Sequence, residues 1–261
     1  MTLALTTATA AEMRAALGGL AATPAGTPDP AGRGQACAAA WDQSLEVPDR
    51  GAVRARLGGR EAVLVVTGVG PLNAALEMGA ALSRHEITGV VNLGLAGSYD
   101  LEKAPLGSCV AAESEVFPEY GVTGLDPTDC LADDTGFPFP QWEGRGQRVV
   151  RRIGLDPVAA AWSLELLLPS GQRMGTALTV AGVTGSRDRA GILAGRFDAL
   201  TESMEGFAIA LACATRGLPF LEVRTISNAV GERDRAKWKI KQALQGLGAM
   251  LAKLLSGPGP L

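Results

Sequence analysis

The sequence predicts an α/β protein, a three-layer α/β/α sandwich formed by a single domain over residues 1–261. Apolar, β-prone runs alternate with helical patterns, the order that stacks helices on both faces of a sheet. Some of those runs, EAVLVV among them, are apolar without interruption, as strands covered on both sides must be. Apolar residues make up 47% of the chain against 20% charged, which excludes a disordered chain and suffices for a substantial core. With a formal net charge of −3 and its Lys and Arg scattered, the chain offers no electrostatic footprint for nucleic acid or an anionic membrane. The expected partner is a small molecule.

Taken in order, Thr2–Thr7 reads as a strand and Ala11–Leu17 as a helix that ends at Gly18-Gly19. Thr23–Gly34, rich in Pro, Gly and Ala, reads as a surface loop. Arg54–Val69 has the pattern of a hairpin turning at Gly58-Gly59, and GVGPLNAALEMGAAL that of a turn followed by a helix. Gly89–Leu93 is a buried strand that enters the glycine turn NLGLAGS, and Ser108–Val116 is another β-rich run. Between Phe117 and Gly146, Pro, Gly and Asp accompany Phe117, Tyr120, Phe137, Phe139 and Trp142. An exposed loop and a cover over a ligand site fit that composition equally.

TALTVAGVTG is the next strand and RDRAGILAGRF an amphipathic helix. ESMEGFAIALACATRGLP holds a helix apolar on nearly every face, with Gly217 as its C-cap. PFLEVRTIS is a strand, and Lys237–Leu255 a long amphipathic helix before a GPGPL tail. The opening MTLALTTATAAEMRAALGG lacks the basic lead of a secretory signal, and no apolar run is long enough to span a bilayer. Cys37, Cys109, Cys130 and Cys213 form no CxxC pair, and His85, in a polar stretch, is the one histidine. A cytoplasmic protein with reduced thiols and no metal site is expected.

Three places carry chemistry. Glu205 lies in an apolar helical segment, where an unpaired ionised carboxylate costs several kcal/mol, so it needs a partner. Either an arginine such as Arg224 or the two hydroxyls of a ribose would serve. Glu12 stands just beyond the first strand, where open α/β sheets place site residues and where an acid also offsets a helix dipole. In RTISNAVGERDR a strand ends at Ser227 and Asn228 and becomes a polar loop. The glycine turns at Gly68 and Gly70, and at Gly94 and Gly97, follow buried strands and let backbone amides approach a ligand or simply make tight turns.

In this order, Glu12, GVGPLNAA, NLGLAGS, ESMEGFAIA and VRTISNAVG resemble the nucleoside phosphorylase and nucleosidase superfamily over nearly the whole chain. SMEGFAIA, PFLEVRTISNAVGERDR and Trp238 together are most similar to its futalosine hydrolase family. The resemblance implies a central mixed, partly barrel-like sheet and a nucleoside substrate. It also implies that Glu12 activates the attacking water, that Met204 and Glu205 hold the ribose hydroxyls, and that Arg224 positions the water or orients Glu12. Gly97, Ser98 and Ser227 complete the expected substrate-binding set, with Phe137 and Phe139, beside Arg187 and Arg189, toward the far end of the substrate.

Asn228 occupies the position where adenine-releasing nucleosidases carry an aspartic acid that protonates N7. Asparagine cannot be that acid, but its amide donates and accepts, which suits a 6-oxopurine, so hypoxanthine is the expected leaving base. Leu95 stands where hydrolytic relatives offer a serine, a role Ser98 could take. NLGLAGS holds no arginine for inorganic phosphate, which favours hydrolysis over phosphorolysis. The other readings are a phosphorylase of 6-oxopurine nucleosides, a methylthioadenosine/adenosylhomocysteine nucleosidase and an inactive nucleoside-binding protein. Glu12, Glu205 and Arg224 together speak against the last. The chemistry requires no metal or organic cofactor, and homo-oligomers are the family habit.

Overall fold

The computed structural model describes residues 1–21, 41, 45–121 and 139–257. The expectations for Thr23–Gly34, Cys37, Cys130, Phe137 and residues 258–261 lie outside them. Along the chain run β1 (Leu3–Thr7), α1 (Ala10–Ala21), β2 (Gly51–Leu57), β3 (Arg60–Val66), α2 (Pro71–Arg84), β4 (Gly89–Ser98) and β5 (Cys109–Val116). A short hairpin of β6 (Trp142–Gly144) and β7 (Gln147–Val149) leads to β8 (Arg152–Gly154) and α3 (Pro157–Ser163). The rest is β9 (Arg173–Thr179), α4 (Arg187–Phe197), β10 (Ala199–Ser203), α5 (Gly206–Arg216), β11 (Phe220–Ala229) and α6 (Ile240–Leu255).

The main sheet has the order β10-β9-β5-β11-β4-β1-β3-β2, with β8 added on β5. β10 also pairs antiparallel with β4, so β4, β11, β5, β9 and β10 close into a ring while β1, β3 and β2 remain an open flank. This is the mixed, partly barrel-like sheet the resemblance implied. Period-two alternation divides the apolar strands between two cores. Leu3, Leu5, Leu64 and Val66 pack with α1, α3 and α6, while Ala4, Val63 and Val65 pack with α2 and α5. Helix α4 covers the ring's far side, where Leu193 and Phe197 meet Leu178 and Val180.

Several elements differ from the sequence expectation, two of them because of glycine. α1 does not end at Gly18-Gly19 but continues to Ala21. A Cβ on Gly19 would stand on the Gly248 carbonyl, so this glycine serves the close contact of α1 with α6 rather than a cap. NLGLAGS is not a turn, because β4 runs through it to Ser98 and pairs there with β10 and β11. β10 was unread, and α5 begins only after Glu205, which is its N-cap residue rather than a residue inside the helix. Part of the stretch read as a loop, Trp142–Gly144, pairs in a hairpin. Gly217, by contrast, caps α5 in the left-handed conformation as its position suggested.

Candidate active site

β1, β4 and β11 are mutually parallel, so their carboxyl ends reach one edge of the sheet, and the pocket opens there. It encloses about 400 Å³ and is lined by Glu12, Gly97, Met204, Glu205, Ser227 and Asn228 of the expected set. Thr9 and Glu12 form a capping box: the Glu12 N–H donates to Thr9 Oγ1 (3.2 Å), and the Thr9 N–H to Glu12 Oε2 (2.9 Å). The Thr9 hydroxyl also donates to Oε2 at 2.8 Å. Oε1 accepts from the Leu95 N–H at 2.9 Å. The carboxylate is therefore aimed by three donors, two from Thr9 just ahead of α1 and one from β4, and stands 8% exposed at the pocket wall. The T-x-x-E spacing of Thr9 and Glu12 is a sequence signal for this arrangement that the reading of Glu12 did not use.

Glu205 is held by the other glycine turn. The Gly70 N–H, at the N-cap of α2 and at φ 98°, donates to Glu205 Oε1 at 3.0 Å. Arg224 Nη1 lies 3.5 Å from Oε2. Burial pushes the Glu205 carboxyl above its ordinary range, and Arg224 and the Gly70 amide bring it only part of the way back. Both partners weighed for Glu205 are thus compatible: Arg224 approaches it from within, and the carboxylate still lines the pocket beside Met204.

Arg224 itself lies under the pocket wall, 2% exposed, with Nε donating to Glu222 Oε1 at 2.6 Å. Burial lowers its basicity, but Glu222, Glu205 and Glu12 together raise it above the ordinary guanidinium value. Gly94 makes this convergence possible, because a Cβ there would collide with Arg224 Nη1 and come within 3.2 Å of Glu12 Oε1.

The register shift of β11 between Ile226 and Asn228 sets Asn228 opposite Gly97 of β4. A Cβ on Gly97 would come within 3.3 Å of Asn228 Nδ2, so the glycine leaves room for the amide. Ser227 Oγ donates to Asn228 Oδ1 at 2.7 Å, and Nδ2 donates to the Ala229 carbonyl at 2.9 Å. One N–H of the amide remains for a ligand.

Ser98 and Phe139 are placed elsewhere. Ser98 is buried, outside the pocket lining, and its hydroxyl accepts from the Asp100 N–H at 3.2 Å. Phe139 is 66% exposed, and its carbonyl accepts from the Tyr120 hydroxyl. Arg187 and Arg189 pair at 3.7 and 3.8 Å with Glu232 and Glu119. Sequence reasoning missed Glu202, which lines the pocket and accepts from the Thr184 N–H (2.9 Å), the Thr184 hydroxyl (2.6 Å) and the Tyr99 hydroxyl (2.6 Å). The first acid of TESMEG was its only trace, and without β10 nothing in the sequence directed it inward. Among the described residues no group of His, Cys, Asp and Glu has the makings of a metal site.

The ring-closed mixed sheet, with Glu12, Glu202 and Glu205 beside the Asn228 amide in one pocket, and the relatives of the chain make it an N-glycosidase of the nucleoside-cleaving class. Residues 45–256 match the family model of the phosphorylase superfamily. The chain is 38% identical over 197 residues to the futalosine hydrolase of Streptomyces coelicolor, covering 73% of this chain and 77% of that protein. It is 35% identical over 204 residues to that of Thermus thermophilus, covering 78% and 85%. Its fold matches 5'-methylthioadenosine/S-adenosylhomocysteine nucleosidase of S. pneumoniae, solved with a transition-state inhibitor, with a TM-score of 0.68 at 19% identity over 98% of this chain and 99% of that one. The chain belongs to the phosphorylase superfamily, within its futalosine hydrolase family.

Proposed function

We propose that this protein hydrolyses the N-glycosidic bond of futalosine, releasing hypoxanthine and dehypoxanthine futalosine in the alternative menaquinone pathway. The observation that carries this reading is the meeting of Glu12, Glu205 and Asn228 in one pocket on a chain related to futalosine hydrolases. In the reaction the bond to the base lengthens as positive charge develops on the ribose and negative charge on the purine. Glu12 takes a proton from the attacking water, with its carboxylate held by Thr9 and the Leu95 amide. Glu205 accepts from the ribose hydroxyls beside Met204, and Arg224 balances its charge from behind. Asn228 donates its remaining N–H to the base as charge gathers there.

The pocket does not stop at the nucleoside. Trp238, Ile240 and Leu244 line it beyond Asn228, and Ile240 and Leu244 also border an adjoining, mainly apolar groove with Ala15 and Lys241. That surface accommodates the aryl end of the substrate, whereas Ser98 and Phe139 are not used. The reading further takes the chain as one domain, cytoplasmic and homo-oligomeric, without a cofactor.

The test is base release from futalosine, inosine and methylthioadenosine, with and without phosphate, followed by chromatography of the products. Phosphate-independent hypoxanthine from futalosine is expected. Phosphate-dependent cleavage of inosine would make the protein a phosphorylase, adenine from methylthioadenosine would overturn the base assignment, and release from none would leave a binding protein.

A further inference from the structure

Beneath the pocket lies a second group of acids that the reaction does not use. Glu222 and Arg224 are two residues apart on β11 and so share one face of the sheet. Glu115 of β5 meets them there. Glu115 is 0% and Glu222 1% exposed. A Cβ on Gly206 would strike Glu115 Oε1 and both oxygens of Glu222, so the two carboxyl groups converge under the first residue of α5. The glycine of SMEG is thereby explained by what lies below it.

The hydrogen bonds around this pair do not close. Glu115 Oε2 accepts from the Thr179 hydroxyl at 2.8 Å, and that hydroxyl accepts from the Phe207 N–H at 2.7 Å. Glu222 Oε1 accepts from Arg224 Nε. Glu115 Oε1 and Glu222 Oε2, fully buried, have no donor. Two ionised carboxylates would face each other there with nothing to give, a costly arrangement in a dry interior. A single proton supplies the missing donor and satisfies both oxygens at once.

We propose that Glu115 carries that proton and donates it to Glu222, and that this acid pair is the positioning device that holds Arg224 toward Glu205 and Glu12. Protonation of Glu115 leaves Glu222 as the anion clamping Nε of the guanidinium. Nη1 is then directed to the pocket side, where it reaches Glu205, while Nη2 is buried without a hydrogen-bond partner. Burial and the neighbouring Glu222 both push the Glu115 carboxyl well above its ordinary range, in the same direction. Glu115 touches no substrate in this arrangement and acts only through Glu222 and Arg224.

The turnover readout rests on the glycosidase reading above, but the proton is read independently by infrared spectroscopy. The wild-type protein at neutral pH should show the C=O stretch of a buried protonated carboxylic acid that is missing from Glu115→Gln. Glu115→Leu, which removes the donor, should lower kcat for futalosine at least tenfold with KM changed less than threefold. Glu115→Gln, whose amide also donates to Glu222, should restore most of that loss. An unchanged infrared difference would overturn the proposal even with an inactive protein. Equal losses in the two variants, or a loss confined to KM, would show that Glu115 does not act by donating to Glu222.

Discussion

On the proposed function, base selection turns on Asn228, and its surroundings fix what it can do. Ser227 occupies its oxygen and the Ala229 carbonyl one of its N–H groups, so the amide cannot rotate without losing both bonds. A donor that acts mainly in the transition state contributes about 2.7–4 kcal/mol. Asn228→Ala should therefore lower kcat for hypoxanthine release by roughly 10² to 10³ while KM changes little. Steady-state kinetics on futalosine checks this, and an unchanged kcat would remove Asn228 from the chemistry. Glu205 was legible as an acid in an apolar segment, whereas Glu12 and Asn228 stood out only as polar residues beyond strand ends, and it was the order of the surrounding motifs that joined the three. Their supports were not legible. The Gly70 amide and Glu205 are 135 residues apart, and no local pattern joins them.

At the scale of elements, glycine carries the ambiguity. A glycine answers either to a backbone conformation or to a close approach, and the sequence alone does not distinguish them. Gly18 and Gly19 look alike in sequence yet differ in the structure. Gly18 is exposed on α1 with nothing near a would-be Cβ, whereas Gly19 faces the Gly248 backbone on α6. Gly18→Ala should stabilise the protein by about 0.5–1 kcal/mol, the helix-propensity difference. Gly19→Ala should destabilise it by about 1–3 kcal/mol by forcing the two helices apart. Urea midpoints of the two variants should move in opposite directions, and a shift of the same sign in both would refute the packing account. The same ambiguity hid the length of β4, where Gly94 and Gly97 clear space for Arg224 and Asn228 rather than bend the chain.

For the whole molecule, the α/β class was visible because alternating strands and helices leave few ways to bury an apolar sheet. Closure of the ring came only with the family resemblance, since it depends on β10, a short segment that alternation alone does not reveal. The closed fold buries acids on several strands and loops, and this sets its pH response. Burial raises Glu119 to about 7 from an ordinary 4.5, and it moves Glu115 and Glu205 in the same direction. Asp100 and Glu232 shift the other way, Asp100 through the backbone N–H groups of Lys103 and Glu102 and Glu232 through the exposed Lys237, whose pairing solvent screens. An acid whose folded pKa exceeds its unfolded one binds more protons when folded. Its stabilisation is complete below the unfolded value and is lost as pH rises through the folded value. For Glu119, whose side chain is 27% exposed, the window runs from 4.5 to about 7, and the loss across it is about 1–3 kcal/mol. Denaturant midpoints should therefore fall between pH 5 and pH 7.5, and Glu119→Gln, which cannot ionise, should flatten that fall. A variant with the wild-type slope would show that Glu119 is already ionised at the acidic end and that the decline belongs to other groups.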